Sequence, residues 1–141
     1  MAIDGLFYMS AHPDQTHFYV DEIATVQKVS ATYLAKVFQQ LARNGILHSQ
    51  RGSKGGYAFG RNPEEISLFD IVSVCEGNLR LFDCGGEERS CSLRGECLAC
   101  RTFIEVQVRM RQVLEGVSIG DLRDHHEHNG GLPDWVTTTV S

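Results

Sequence analysis

Between residues 30 and 60 the hydrophobic period of the chain changes, and that change restricts the fold more than any other feature. Leu34, Val37, Phe38 and Leu41 recur at i, i+3, i+4 and i+7, the apolar stripe of one α-helix. Ser30 is a good N-cap for that helix, and Asn44-Gly45 stops it, Gly45 suiting the left-handed C-terminal position. Residues 46–50 then alternate, and residues 57–60 put Tyr57 and Phe59 on one side, so two short strands follow. Between them, Arg51-Gly52-Ser53-Lys54-Gly55-Gly56 allows a sharp turn with two cations at its tip. Upstream, Asp21 and Glu22 open a short helix with Ile23, Ala24 and Val26 on its apolar side. Gln27-Lys28-Val29 joins it tightly to the striped helix. Two helices across a short turn, then a hairpin, describe a winged helix-turn-helix.

The charge distribution agrees. The net charge is −5, yet residues 28–62 hold Lys28, Lys36, Arg43, Arg51, Lys54 and Arg61 and no acid, while the rest has 7 basic and 18 acidic residues. Binding responds to the local field, so this stretch is an electrostatic footprint for nucleic acid. In such a fold the striped helix enters the major groove with its N-terminal residues nearest the base edges. Ser30, Thr32, Tyr33 and Lys36 occupy that end, and Arg51 and Lys54 on the wing are placed for the minor groove or flanking phosphates. A winged helix used for protein contacts is the competing reading.

The remaining segments complete a mainly α fold with a small β-wing. Ile3, Leu6, Phe7 and Met9 predict a helix over 2–10, ended by His12-Pro13-Asp14. Ser67 and Asp70 form a capping-box-like pair before Leu68, Ile71, Val72 and Cys75. Residues 79–97 lack periodicity and read as a loop. A long helix follows over 98–115. Phe103, Val106, Met110, Val113 and Val117 are spaced 3, 4, 3, 4 on it, a coiled-coil-like seam for pairing two subunits. The expected organisation is a DNA-binding domain over 1–78, a cysteine-bearing loop over 79–97, the dimerisation helix and a short helix over 98–127, and a loose tail over 128–141.

Four of the five cysteines are spaced Cys84-x6-Cys91-x5-Cys97-x2-Cys100. An odd count, with no recognisable leader, points away from a secreted disulfide framework and toward metal. Only one pair is tight, whereas zinc sites usually use two, so the spacing favours an iron–sulfur cluster while leaving zinc open. Cys75 lies on an apolar helix face and reads as core. His125, His126 and His128 read as surface residues rather than metal ligands.

These residues resemble a known family. Val29-Ser30-Ala31-Thr32-Tyr33-Leu34, Leu41-Ala42-Arg43-Asn44-Gly45-Ile46-Leu47, the wing through Tyr57, Ile66-Ser67-Leu68-Phe69-Asp70-Ile71, the cysteine loop and Ser118-Ile119-Gly120-Asp121-Leu122 are similar to the Rrf2 winged-helix regulators of the IscR and NsrR type. The resemblance covers about residues 2–123. It implies a cytoplasmic homodimer built on the long helix, binding a palindromic double-stranded DNA operator. It also implies a cluster, two-iron expected and four-iron the alternative, that senses redox, nitric oxide or iron–sulfur status. Cys84, Cys91 and Cys97 match the family's three cysteines, and Cys100 stands where some members place a histidine ligand. Family chains begin several residues earlier, so a shortened start is expected. That earlier segment carries DNA contacts and, in some members, an acidic cluster ligand supplied by the other subunit.

No phosphate-binding glycine loop, serine nucleophile elbow or carboxylate pair stands out, which points away from an enzyme. No stretch approaches the roughly 20 apolar residues of a membrane-spanning helix. The alternatives that stay open are a winged-helix repressor with structural zinc or a metal-free thiol switch and, more weakly, a small electron carrier.

Overall fold

The computed structural model describes residues 2–52, 55–77 and 97–137. Its order is α1 (Ala2–Ser10), α2 (Val20–Gln27), α3 (Ala31–Arg43), β1 (Leu47–Gln50), β2 (Gly56–Phe59), a 3₁₀ turn (Pro63–Glu65), α4 (Leu68–Glu76), α5 (Leu98–Glu115), α6 (Ile119–His128) and α7 (Asp134–Thr137). This is the mainly helical winged helix-turn-helix that the sequence predicts.

The core forms where α1, α2, α3 and the strands meet. Leu34, Val37, Phe38 and Leu41, the predicted stripe, are buried against Leu6, Tyr8, Met9, Ile23 and Ile46. Gly5 admits the Phe38 ring, since a Cβ there would stand 3.0 Å from two of its carbons. The α2–α3 turn closes with Lys28 in the left-handed region at φ 54° and the Val29 N–H donating to the Ala24 carbonyl at 3.0 Å. The two strands pair antiparallel with Leu47 opposite Phe59 and Gln50 opposite Gly56. A third extended piece joins them: Phe18 and Tyr57 exchange both backbone hydrogen bonds at 2.8 Å.

The sequence reading needs correction in the C-terminal third. Helix α6 was expected with the dimerisation arm, but it packs on α1 and on the 3₁₀ turn, and Ile119 is fully buried. Its start is fixed by a capping box between Ser118 and Asp121, matching the one between Ser67 and Asp70 at α4. Within the tail expected to be loose, residues 134–137 form α7. Val136 there is fully buried and the Trp135 ring meets Phe7 edge-on at 5.9 Å. Two adjacent apolar side chains in a polar tail supply the burial that orders it. Helix α5 ends at Glu115, so Val117 lies beyond the seam. Its carbonyl accepts from the Leu68 N–H at 2.9 Å, tying the chain to the start of α4. No helix among the described residues is long and apolar enough to cross a membrane.

Candidate nucleic-acid interface

Helix α3 starts cleanly because Ser30 caps it: the hydroxyl oxygen accepts from the Tyr33 N–H at 3.4 Å. Ser30 therefore shapes the helix entry. Beyond the cap, Thr32, Tyr33, Lys36, Gln39, Gln40 and Arg43 are exposed, with Tyr33 at 50%. The sequence reading places Thr32, Tyr33 and Lys36 at the groove-facing end of this helix; Gln39, three residues after Lys36 on the same outer face, is added by the structure. The first turn of α3 faces a groove shared with α2, lined by Asp21, Ala31, Thr32, Ala35, Lys36 and Gln39.

The wing is rigidly attached to this helix. Tyr57 stacks edge-on against Phe38 at 5.3 Å, and Phe38 belongs to the buried side of α3. Burial also pushes the Tyr57 hydroxyl above its ordinary pKa. The Phe18 bridge adds a second attachment that alternation in residues 46–60 gave no hint of; the signal was one apolar residue in a polar linker. At the tip Gly52 has φ 136°, and the Gly55 N–H donates to the Gly52 carbonyl at 2.9 Å. A Cβ at Gly55 would stand 2.7 Å from the Gln50 carbonyl oxygen, so glycine is required there. Arg51 is exposed beside this turn; Lys54 lies outside the described residues. Arg61 is turned away and reaches Asp70 at 3.7 Å, which removes one cation of the acid-free stretch from the interface.

Of the four predicted metal ligands, Cys84 and Cys91 lie outside the described residues. Cys97 and Cys100 are half-buried thiols at the start of α5, Cys97 as N-cap and Cys100 one turn in. Their chemistry and common placement fit two donors to a thiolate-held metal group. Among the described residues no three histidines, cysteines or carboxylates gather as a metal site. His126 packs on Phe7 at 5.1 Å, and His128 Nδ1 meets the Asp124 carbonyl at 2.7 Å. Cys75 lines a groove with Tyr33, Lys36 and Glu76, and burial raises its thiol pKa, which suits an inert thiol rather than a ligand.

On α5 the predicted seam is split along its length. Phe103 and Met110 are half-buried together with Gln107 and Leu114, on the side that α4 covers. Val106 and Val113 stand outward at 45% and 70% exposure. Ile104 and Val108, absent from the predicted seam, are exposed too.

Comparison with known proteins agrees with this geometry. The Rrf2 family profile, described as an iron-dependent transcriptional regulator, matches residues 1–125. The chain is 30% identical over 134 residues to the HTH-type transcriptional regulator NsrR of Shouchella clausii, a match covering 94% of this chain and 90% of that one. The structure of IscR from T. potens superposes with a TM-score of 0.72 at 23% identity, covering 97% of this chain and 90% of that one. CymR, described as the global cysteine regulator of B. subtilis, superposes with a TM-score of 0.65 at 23% identity, over 88% and 91% of the two chains.

Proposed function

The chain belongs to the Rrf2 family of DNA-binding transcriptional regulators, a non-enzymatic family, and within it we propose a cytoplasmic homodimer whose grip on a palindromic operator is set by an iron–sulfur cluster. The observation that carries the reading is the outer face of α3. It is polar and cationic, capped cleanly by Ser30, and locked to the wing through Phe38 and Tyr57. Thr32 and Lys36 take the base edges, Tyr33 and Arg51 the backbone or the adjacent minor groove, and Lys54 extends the wing contact.

Cys84, Cys91, Cys97 and Cys100 would hold the cluster, two-iron in preference to four-iron. When bound, it supplies a centre that responds to redox state or nitric oxide. The spacing, the iron-dependence in the family description and the two thiols at the α5 N-terminus support this. Helix α5 packs on α4 and α4 on α3, so the donor-bearing turn and the DNA face belong to one packed unit. The outward Val106 and Val113 supply the surface on which a second copy pairs.

A second reading has its own support. The fold is equally that of CymR, described as a cysteine regulator, so the same thiols suit structural zinc or a metal-free switch. Anaerobic isolation with iron, sulfide and zinc analysis separates the two. Coloured protein with iron and acid-labile sulfide, lost in Cys97→Ala and retained in Cys75→Ala, is the expected result. Colourless protein with one zinc per chain, after reconstitution is also tried, supports the second reading. Titration on genomic fragments at several salt concentrations tests operator binding, with cluster-loaded and cluster-free protein compared. Binding that is absent in both states overturns the DNA-binding role.

A further inference from the structure

The groove between α2 and α3 contains one acid. Asp21 stands exposed in the first turn of α2 and lines the same groove as Thr32, Lys36 and Gln39 of α3. Its neighbour Glu22 is committed elsewhere, accepting from the Tyr8 hydroxyl at 3.1 Å and from Gln15 Nε2 at 3.1 Å. Asp21 is held only through its backbone carbonyl, which accepts from Thr25 Oγ1 at 2.7 Å; among the described residues nothing binds its carboxylate. The facing wall is low, since α3 presents Ala31 and Ala35 there.

Any negative charge in a first helical turn favours the helix dipole, and that role has no bearing on DNA. The position of Asp21 adds another. When the first turns of α3 approach base edges, this groove approaches with them. A carboxylate only accepts hydrogen bonds and is repelled by phosphate, and the matching donor on a G·C pair in the major groove is the cytosine N4 amine. Lys36 lines the same groove and donates, and guanine O6 and N7 accept. We propose that Asp21 is a specificity-determining residue that accepts from a cytosine amine, so that Asp21 and Lys36 together read G·C pairs within each half-site. This rests on the DNA-binding reading above.

The test is selection of binding sites from randomised duplexes by the full chain, in its wild-type, Asp21→Ala and Asp21→Asn forms, with helical content checked for each. Wild type should enrich cytosine at one position per half-site. Asp21→Ala should lose that discrimination, about 5- to 150-fold, while binding mixed-sequence DNA at least as tightly. Asp21→Asn should move the preference at that position toward adenine, because an amide pairs with adenine N6 and N7. A helix-dipole role alone would move neither preference. If both variants keep the wild-type preference at every position, the proposal is overturned and DNA binding stands. If wild type enriches no sequence, the base-reading role of α3 fails and this proposal fails with it.

Discussion

Helices α3 and α5 each carry enough apolar residues for an inner face, yet they end up in different surroundings. In α3 the four stripe residues are buried by α1, α2, α4 and the hairpin of the same chain. In α5, twice-repeated apolar spacing leaves no residue fully buried, and Val106, Val113, Ile104 and Val108 remain in solvent. At about 100° per residue, Phe103 and Met110 lean toward α4 while Val106 and Val113 lean away from it, and Ile104 and Val108 fall on the far side. The lesson is that the α3 stripe is covered within its own chain, whereas the described residues leave the outer flank of α5 uncovered, the flank on which we propose that a second copy pairs.

The largest effect tests the closed half. Phe38 is fully buried, fills the space over Gly5 and carries Tyr57 of the wing. Phe38→Ala should cost about 3–5 kcal/mol, a large fraction of the roughly 5–15 kcal/mol that holds a native domain folded. Denaturant titration should show a lower midpoint, and the wing should lose its order with it. A loss below about 1 kcal/mol would show that α3 is not held as its burial implies.

Next comes the arm. Each apolar side chain covered on pairing contributes about 1.5–3 kcal/mol, so a double Val106→Glu, Val113→Glu variant should dissociate the dimer while keeping its helical signal. Light scattering reads the outcome. An unmodified chain that is monomeric at micromolar concentration refutes the pairing. Separation by Ile104→Glu but not by the valine pair would move the covered flank to the other side of α5.

How much of this was legible in the sequence follows from the same contrast. The α3 stripe, the Ser30 and Ser67 caps and the hairpin rest on short-range rules, and the structure places all of them where the spacing puts them. Helix α5 was legible as a helix, but its seam was not, because a 3-4 repeat does not say which edge the same chain will cover. The joining of α6 and α7 to the core depends on contacts from 53 residues apart, Ile119 with Ile66, to 128 apart, Trp135 with Phe7, which periodicity does not carry. Asp21 was read only as an N-terminal charge, since its closeness to Lys36 exists only once the helices cross.

A smaller, pH-dependent effect is confined to the closed half. The Tyr8 hydroxyl donates to Glu22 across α1 and α2, and burial, then the Glu22 charge, pushes its pKa from 10.0 up to about 12. A raised folded-state pKa means that the folded chain holds the proton more tightly than the unfolded chain. The associated stability is complete below pH 10 and is lost as pH rises from about 10 to about 12, with a limiting slope of about 1.4 kcal/mol per pH unit. Tyr8→Phe should flatten that part of the stability–pH curve. A curve of unchanged slope between pH 10 and 12 would show that Tyr8 is not the titrating group.

The smallest effect goes the other way, toward greater stability, at the turn that sets α2 against α3. Lys28 holds φ 54° and ψ 42° there, a conformation that costs a side-chain-bearing residue about 1–2 kcal/mol and glycine almost nothing. Glycine loses about 0.5–1 kcal/mol of that advantage through the greater freedom of its unfolded chain. Lys28 also places a positive charge at the C-terminal end of α2, worth a few tenths of a kcal/mol. Lys28→Gly should therefore stabilise the chain by less than about 1 kcal/mol, while Lys28→Ala, which keeps the strain and drops the charge, should not stabilise it. Thermal melts of both variants read the difference. Repeating Lys28→Gly in the Val106→Glu, Val113→Glu background sharpens the comparison of the two regions. If the α1–α3 half closes on itself, the gain should be the same with the arm paired or unpaired, because distant and independent sites add. A gain that disappears when the arm is unpaired would mean that the turn is completed by the partner subunit, and the division between the two halves would have to be redrawn.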